Sequence, residues 1–195
     1  MLDHWLRTLT FSGPFPIPCK WFNAEVLRGK PEDSGKGTLY CWTHVPLVEV
    51  PLRVLVELGH RPDVMVAHPG KIVDGECYVI PGLTTRLHSI SSDRLLLLRV
   101  RTALRDGKSV VCTADREMFG PIMGDVLRVA GRAGARVVFA WAERMKDGTI
   151  KVFFREAPHP YCESAEAIGE NVEFLRRANR CVFDELGVPE RERIP

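Results

Sequence analysis

Apolar residues in this chain come in short runs divided by Gly, Pro and Asp, and the runs are of two kinds. Thr38-Leu39-Tyr40-Cys41-Trp42-Thr43 is almost continuously apolar, which predicts a buried strand. Asp63 to Ala67, Ser109 to Thr113 and Arg136 to Ala142 have the same character, and Glu76 to Ile80 is a shorter candidate. Between them the spacing predicts helices over Pro46 to Leu58, Ser92 to Arg105, Pro121 to Gly134 and Ser164 to Leu186. Their punctuation agrees. Pro46 suits a first turn and Gly59 a C-cap, Ser91 or Ser92 an N-cap with Gly107 past the end, and Gly187 and Pro189 stop the last helix. Pro51 has no backbone N–H, so it should kink the first helix or delay its regular start. Met145 to Phe154 reads as a hairpin turning on Asp147-Gly148.

Strands alternating with helices predict an α/β fold: a mostly parallel central sheet flanked by helices, with an antiparallel edge hairpin. The organisation read from the sequence is an aromatic, proline-marked N-terminal segment over 1–34, an α/β domain over 35–188 and a short tail over 189–195. In the first segment Trp5, Leu6, Leu9, Phe11, Phe15, Ile17, Trp21 and Phe22 are interrupted by prolines at 14, 16 and 18, which forbid a regular helix. Such a segment either straps across the domain or rests its aromatics at a lipid interface.

Composition narrows the class. A net charge of +2 with dispersed basic residues gives no argument for nucleic acid. No stretch approaches the ~18–20 apolar residues of a membrane span, and the first residues lack the pattern of a signal peptide. The expectation is a cytoplasmic protein, in solution or peripheral on the inner face of the cell membrane. None of the six cysteines stands in Cys-x-x-Cys spacing, and Cys41 and Cys112 lie inside strand-like runs, which predicts buried free thiols in a reducing compartment.

In open α/β sheets, sites form beyond the carboxyl ends of the strands. The residues just past the three clearest strands are His44, His68 and Asp115, all polar and titratable. His44 is followed five positions later by Glu49. On one helix these would stand about 140° apart, so they meet only if His44 lies in the loop and Glu49 in the first turns. A carboxylate on one imidazole nitrogen leaves the other as a base toward a hydroxyl or amine attacking an acyl ester. The helix N-terminus is a candidate for stabilising the oxyanion. The spacing alone is common by chance, and by itself it fits a loop histidine beside a solvated glutamate better than a catalytic pair.

The run Gly35-Lys36-Gly37, the strand Thr38 to Thr43, then His44-Val45-Pro46-Leu47-Val48-Glu49 resembles the opening of the lysophospholipid acyltransferase superfamily, most closely its late lipid A acyltransferase branch. His68-Pro69 stands where that branch has Arg-Pro, Asp115-Arg116 where it has Asp-Gln, and Gly134 to Arg144 resembles its next glycine, strand and arginine. The resemblance runs in order over roughly residues 35–185. It implies His44 as general base, Glu49 as its orienting carboxylate, and His68, Asp115, Arg116 and Arg144 as substrate-binding residues. It implies an acyl thioester donor, on acyl carrier protein or coenzyme A, a hydroxyl or amine acceptor that includes lipids, a possible membrane surface, no nucleic acid, no metal and no other cofactor. Pro46-Leu47-Val48 replaces the family's Gly-Asn-Trp and His68 removes a guanidinium fork for phosphate, which points to a different acceptor. Two alternatives stand beside this: a thioesterase or hydrolase on the same His–Glu pair, and a non-catalytic module that binds lipid or an acyl chain.

Other features read more plainly. Arg94, Arg99, Arg101 and Arg105 form either a solvated basic face or a dock for an acidic carrier. Asp115-Arg116-Glu117 reads equally as an internal ion cluster. His60, His88 and His159 read as surface residues.

Overall fold

The structure is a computed structural model that describes residues 19–22, 27, 35–44, 47–66, 72–73, 77–79, 85–91, 93–115, 121–147 and 149–185. Its elements in chain order are β1 (Cys19–Phe22), β2 (Thr38–Trp42), α1 (Val50–Glu57), β3 (Asp63–Val66), β4 (Ile72–Val73), β5 (Cys77–Val79), β6 (Arg86–Ser91), α2 (Leu96–Arg105), β7 (Ser109–Thr113), α3 (Asp125–Ala133), β8 (Arg136–Arg144), β9 (Ile150–Glu156) and α4 (Ala165–Glu185). The strands form one sheet in the order β1-β9-β8-β2-β7-β3-β6-β5-β4. The central block from β8 to β6 is parallel. Antiparallel pairs flank it, β8 with β9 on one side and β6 with β5 and β5 with β4 on the other. This is an α/β fold with a mostly parallel sheet.

Alternation along β2 assigns the two faces. Tyr40 and Trp42 pack with Val138, Ala140, Phe154 and the apolar residues of α1. Leu39 and Cys41 point the other way and pack with Val110, Cys112, Val137 and Phe139 against α2, α3 and α4. The most central of these side chains are fully buried, each contributing about 1.5–3 kcal/mol of burial free energy. The distribution follows from connection handedness. From β2 the chain moves two strand positions to β3 through α1. From β6 to β7 and from β7 to β8 it moves two positions the opposite way, through α2 and α3. Right-handed crossovers running in opposite directions must lie on opposite faces.

Local chemistry moved several element ends. Helix α1 starts at Val50, because Val50 N donates to Leu47 O at 2.9 Å and Pro51 occupies its first turn. Leu47, with φ of +69°, makes the bend before it. Helix α2 starts after a turn held by Asp93, whose Oδ1 accepts from Leu95 N at 2.8 Å and whose carbonyl accepts from Leu96 N. Ser164 caps α4, its Oγ accepting from Ala167 N at 3.1 Å. The hairpin turn lies where the Asp147-Gly148 pair predicts, closed by Met145 N to Thr149 O and by Asp147 Oδ1 accepting from Thr149 N. Its arms are the longer β8 and β9, and β9 is not the outermost strand, because β1 pairs parallel outside it. From the N-terminal segment, Leu27 is buried in the α1-side core, and Trp5 lies outside the described residues.

Gly35 and Gly37 fix the entry to β2. Gly35 takes φ of +66°, and a Cβ on Gly37 would lie 2.2 Å from Leu104 O, so strand and helix end touch backbone to backbone. These glycines serve packing and the turn. Among the cysteines with described side chains, Cys41, Cys112 and Cys162 are buried free thiols. His60 is buried rather than on the surface, edge-on to the Tyr40 ring at 6.1 Å between centroids. His88 and His159 are exposed and bond Asp63 and Glu170. Among the described residues, no helix is long and apolar enough to cross a membrane.

Candidate active site

The parallel ladder of β2 and β7 pairs Trp42 with Thr113. Both chains leave the sheet immediately afterward, at the same edge and level. The ladder continues for one rung, Ala114 N donating to Trp42 O at 2.7 Å. The next rung is made by a side chain. His44 N donates to Asp115 Oδ1 at 2.9 Å and to Oδ2 at 3.0 Å, and His44 Nδ1 lies 2.8 Å from Asp115 Oδ1. One carboxylate therefore grips both the backbone and the ring of one histidine. Thr113 Oγ1 donates to Asp115 O at 3.3 Å and steadies the turn that aims it.

The location is a topological switch point. Strands β2 and β7 are neighbours, yet the chain leaves β2 toward β3 and leaves β7 toward β8, in opposite directions. The two connections pass on opposite faces, α1 on one and α3 on the other, and loops parted in this way at the carboxyl ends of neighbouring strands flank the place where ligands of open α/β sheets bind.

The burial of the two partners differs sharply. The Asp115 side chain is 2% exposed and that of His44 32%. A buried carboxylate is stable when its oxygens are hydrogen-bonded, and here backbone and ring N–H groups supply the donors. With Asp115 ionised, the 2.8 Å contact assigns the proton to Nδ1 and leaves the Nε2 lone pair free. The half-exposed ring can then present Nε2 to a ligand. Beneath lie Cys41 and Cys112, in register on the two strands. The hydrogen bond to Cys112, then burial, then the charges of Cys112 and Asp115 push the Cys41 thiol well above its usual range, so it stays protonated and unreactive.

The sequence-predicted residues divide. His44 and Asp115 are brought together, and Asp115 rather than Glu49 makes the hydrogen bond to the imidazole. Glu49 is the N-cap residue of α1, partly buried; its carbonyl accepts from Arg53 N at 3.1 Å, and its side chain does not cap the helix. The α1 N-terminus offers an oxyanion fewer donors than an ordinary helix start, because Val50 N is already bonded to Leu47 O and Pro51 has no N–H. Arg144 ends β8 at the same sheet edge, opposite Ile150. His68 and Arg116 lie outside the described residues. Thr113 was not singled out from the sequence, where a strand-end threonine carries no signal. Among the described residues, no group of three or more His, Cys, Asp or Glu is arranged to hold a metal ion.

Comparison of the chain with protein-family models and with curated proteins finds no match.

Proposed function

We propose that this chain is an acyltransferase in which His44, held by Asp115, is the general base. Nε2 takes the proton of an acceptor hydroxyl or amine. The freed oxygen or nitrogen attacks the thioester carbonyl carbon, and the C–S bond breaks as the tetrahedral intermediate collapses. The imidazolium returns its proton to the departing thiolate, so no acyl-enzyme forms. Asp115 fixes the ring tautomer and stabilises the imidazolium while it exists. The observation that carries this reading is the 2.8 Å contact from Nδ1 to a buried carboxylate that also grips the His44 backbone. The order of motifs from Gly35 to Arg144, similar to the lysophospholipid acyltransferases, supplies the reaction class. In this reading the resemblance gives Arg144, His68 and Arg116 the part of binding substrate, and the donor is acyl-coenzyme A or an acyl carrier protein.

Partial exposure of the His44 ring favours one second reading, a thioesterase in which water takes the acceptor's place. One experiment separates the two. Purified protein is given acyl-coenzyme A or acyl carrier protein, with and without pooled lipids and hydroxylated metabolites. Thiol release with an acylated product, lost in His44→Ala, supports acyl transfer. Thiol release whose only product is free acid, with every acceptor, refutes acyl transfer in favour of hydrolysis. Silence of the wild type with every donor refutes both.

A further inference from the structure

Helix α2 seats on the sheet and on α3 through Val100, Ala103 and Leu104, which accounts for its core face. Its outer side is not a typical solvated surface. Leu95, Leu97 and Leu98 are 52%, 41% and 57% exposed. The other large apolar side chains exposed to this degree among the described residues, Leu58 and Tyr161, stand singly. Leu98, Arg101 and Arg105 follow at spacings of three and four, so they share one face, with Arg94 leading in from the preceding turn. Arg99 pairs with Asp93 at 2.9 Å. Arg94, Arg101 and Arg105 have no ion-pair partner among the described residues. The leucines also lie on a particular edge. Helix α2 begins just beyond the carboxyl end of β6, and β6 is two strands from β7. At ordinary strand spacing that is about 10 Å along the sheet edge that carries His44 and Asp115.

We propose that α2 and the turn before it dock this protein on an anionic lipid surface, with Leu95 and Leu98 entering the headgroup boundary and Arg94, Arg101 and Arg105 meeting lipid phosphates. Exposed leucines beside unpaired arginines are the combination an interfacial helix uses. The large apolar residues it exposes are leucines with no Trp or Tyr among them, and leucine is under-represented at protein-docking hot spots. Docked in this way, α2 lies along the interface with its first residues beside the edge that bears the dyad. The inference is independent of the acyl-transfer reading, because vesicle binding needs no turnover.

The test is flotation of the full chain with vesicles of equimolar phosphatidylglycerol and phosphatidylcholine, and with vesicles of phosphatidylcholine alone. The wild type is expected to float with the first and much less with the second. Arg94→Gln/Arg101→Gln should lower the partition onto anionic vesicles by about 25-fold, roughly fivefold per arginine. Leu95→Ser/Leu98→Ser should lower it by about tenfold or more. Both pairs are exposed, so circular dichroism should match the wild type. Equal flotation with both vesicle types overturns the proposal, as does undiminished binding by the α2 variants. Loss of binding in Trp5→Ser/Trp21→Ser with the α2 variants still bound moves the anchor to the N-terminal segment. Capture of purified acyl carrier protein by the arginine face, with vesicles ignored, replaces the lipid by a protein partner. Either of these last results also refutes the proposal.

Discussion

Replacing Asp115 by Asn tests the site at its most constrained point. The carboxylate receives two N–H donors from His44, the backbone N–H shared between its oxygens and the ring Nδ1–H. Oδ1 accepts from both the ring and the backbone, and Oδ2 shares the backbone N–H, so either placement of an asparagine NH₂ sets it against the His44 backbone N–H, donor against donor. With the amide oxygen in the Oδ1 place, Nδ1–H is kept but the charge that stabilises the imidazolium is gone. With the NH₂ there, it donates to Nδ1 and the ring flips to the Nε2–H tautomer, which removes the base. Both outcomes lower thioester turnover, by about 10²–10⁴-fold. Stability should fall less, by about 1.5–3 kcal/mol for the lost charge-assisted bonding. That is roughly 3–12 °C in melting temperature for a chain of this size. Turnover is read by thiol release, with melting by calorimetry beside it. Nitrogen-15 imidazole shifts read the tautomer without any substrate. Glu49→Gln, which leaves the His44–Asp115 contact intact, should keep Nδ1 protonated. The reasoning fails if Asp115→Asn retains turnover within about threefold, or if wild-type His44 already carries its proton on Nε2.

Three further outcomes are expected. Gly37→Ala puts a Cβ 2.2 Å from Leu104 O, where backbone must move, and should cost about 1–3 kcal/mol in thermal or urea unfolding. Asn171 is fully buried, its side chain bonding His159 N and O and Cys162 Sγ. Asn171→Leu should therefore lose about 2–4 kcal/mol, seen as faster amide exchange across 157–162, because it strands buried backbone groups. Tyr40 is buried with a hydroxyl that has no hydrogen-bond partner, and burial pushes its pKa up to about 12, with the Arg136 charge and Ser109 pulling the other way. The folded state then holds a proton that the unfolded state releases near 10, so stability is intact below pH 10 and declines as pH rises toward 12. Tyr40→Phe should remove that part of the alkaline loss, about 3 kcal/mol at most, and be neutral or stabilising at pH 7 in denaturant titrations.

The parts of the fold visible in the sequence are those where one residue type decides the backbone. Ser109 to Thr113 is β7, with the predicted ends, because its apolar run is bounded by Lys108 and the turn at Ala114. The helices were visible but their starts were set late, by Pro51 and the Leu47 bend in α1 and by the Asp93 carboxylate in α2. Strand β6 gave no signal, since it buries Leu87, Ser89 and Ile90 without a clean alternation. Strand β1 lies in proline-marked sequence and exists through its pairing with β9. The site was half legible. His44 and Asp115 each stand two residues past a strand, an equal offset that predicts convergence once β2 and β7 are neighbours. Which strands are neighbours is a tertiary fact, and proximity in sequence favoured Glu49 over a carboxylate from a distant strand.

Strand order also sets when the dyad can exist. Strand β2 sits between β7 and β8, so its two ladders close only with chain made long after it. His44 and Asp115 are separated by 71 positions. During synthesis, the histidine emerges early and waits without its partner, and pairings of such span form late in folding. A nascent or truncated chain ending before β7 lacks the orienting carboxylate altogether. The tautomer of a single imidazole therefore reports whether the centre of this sheet has been assembled.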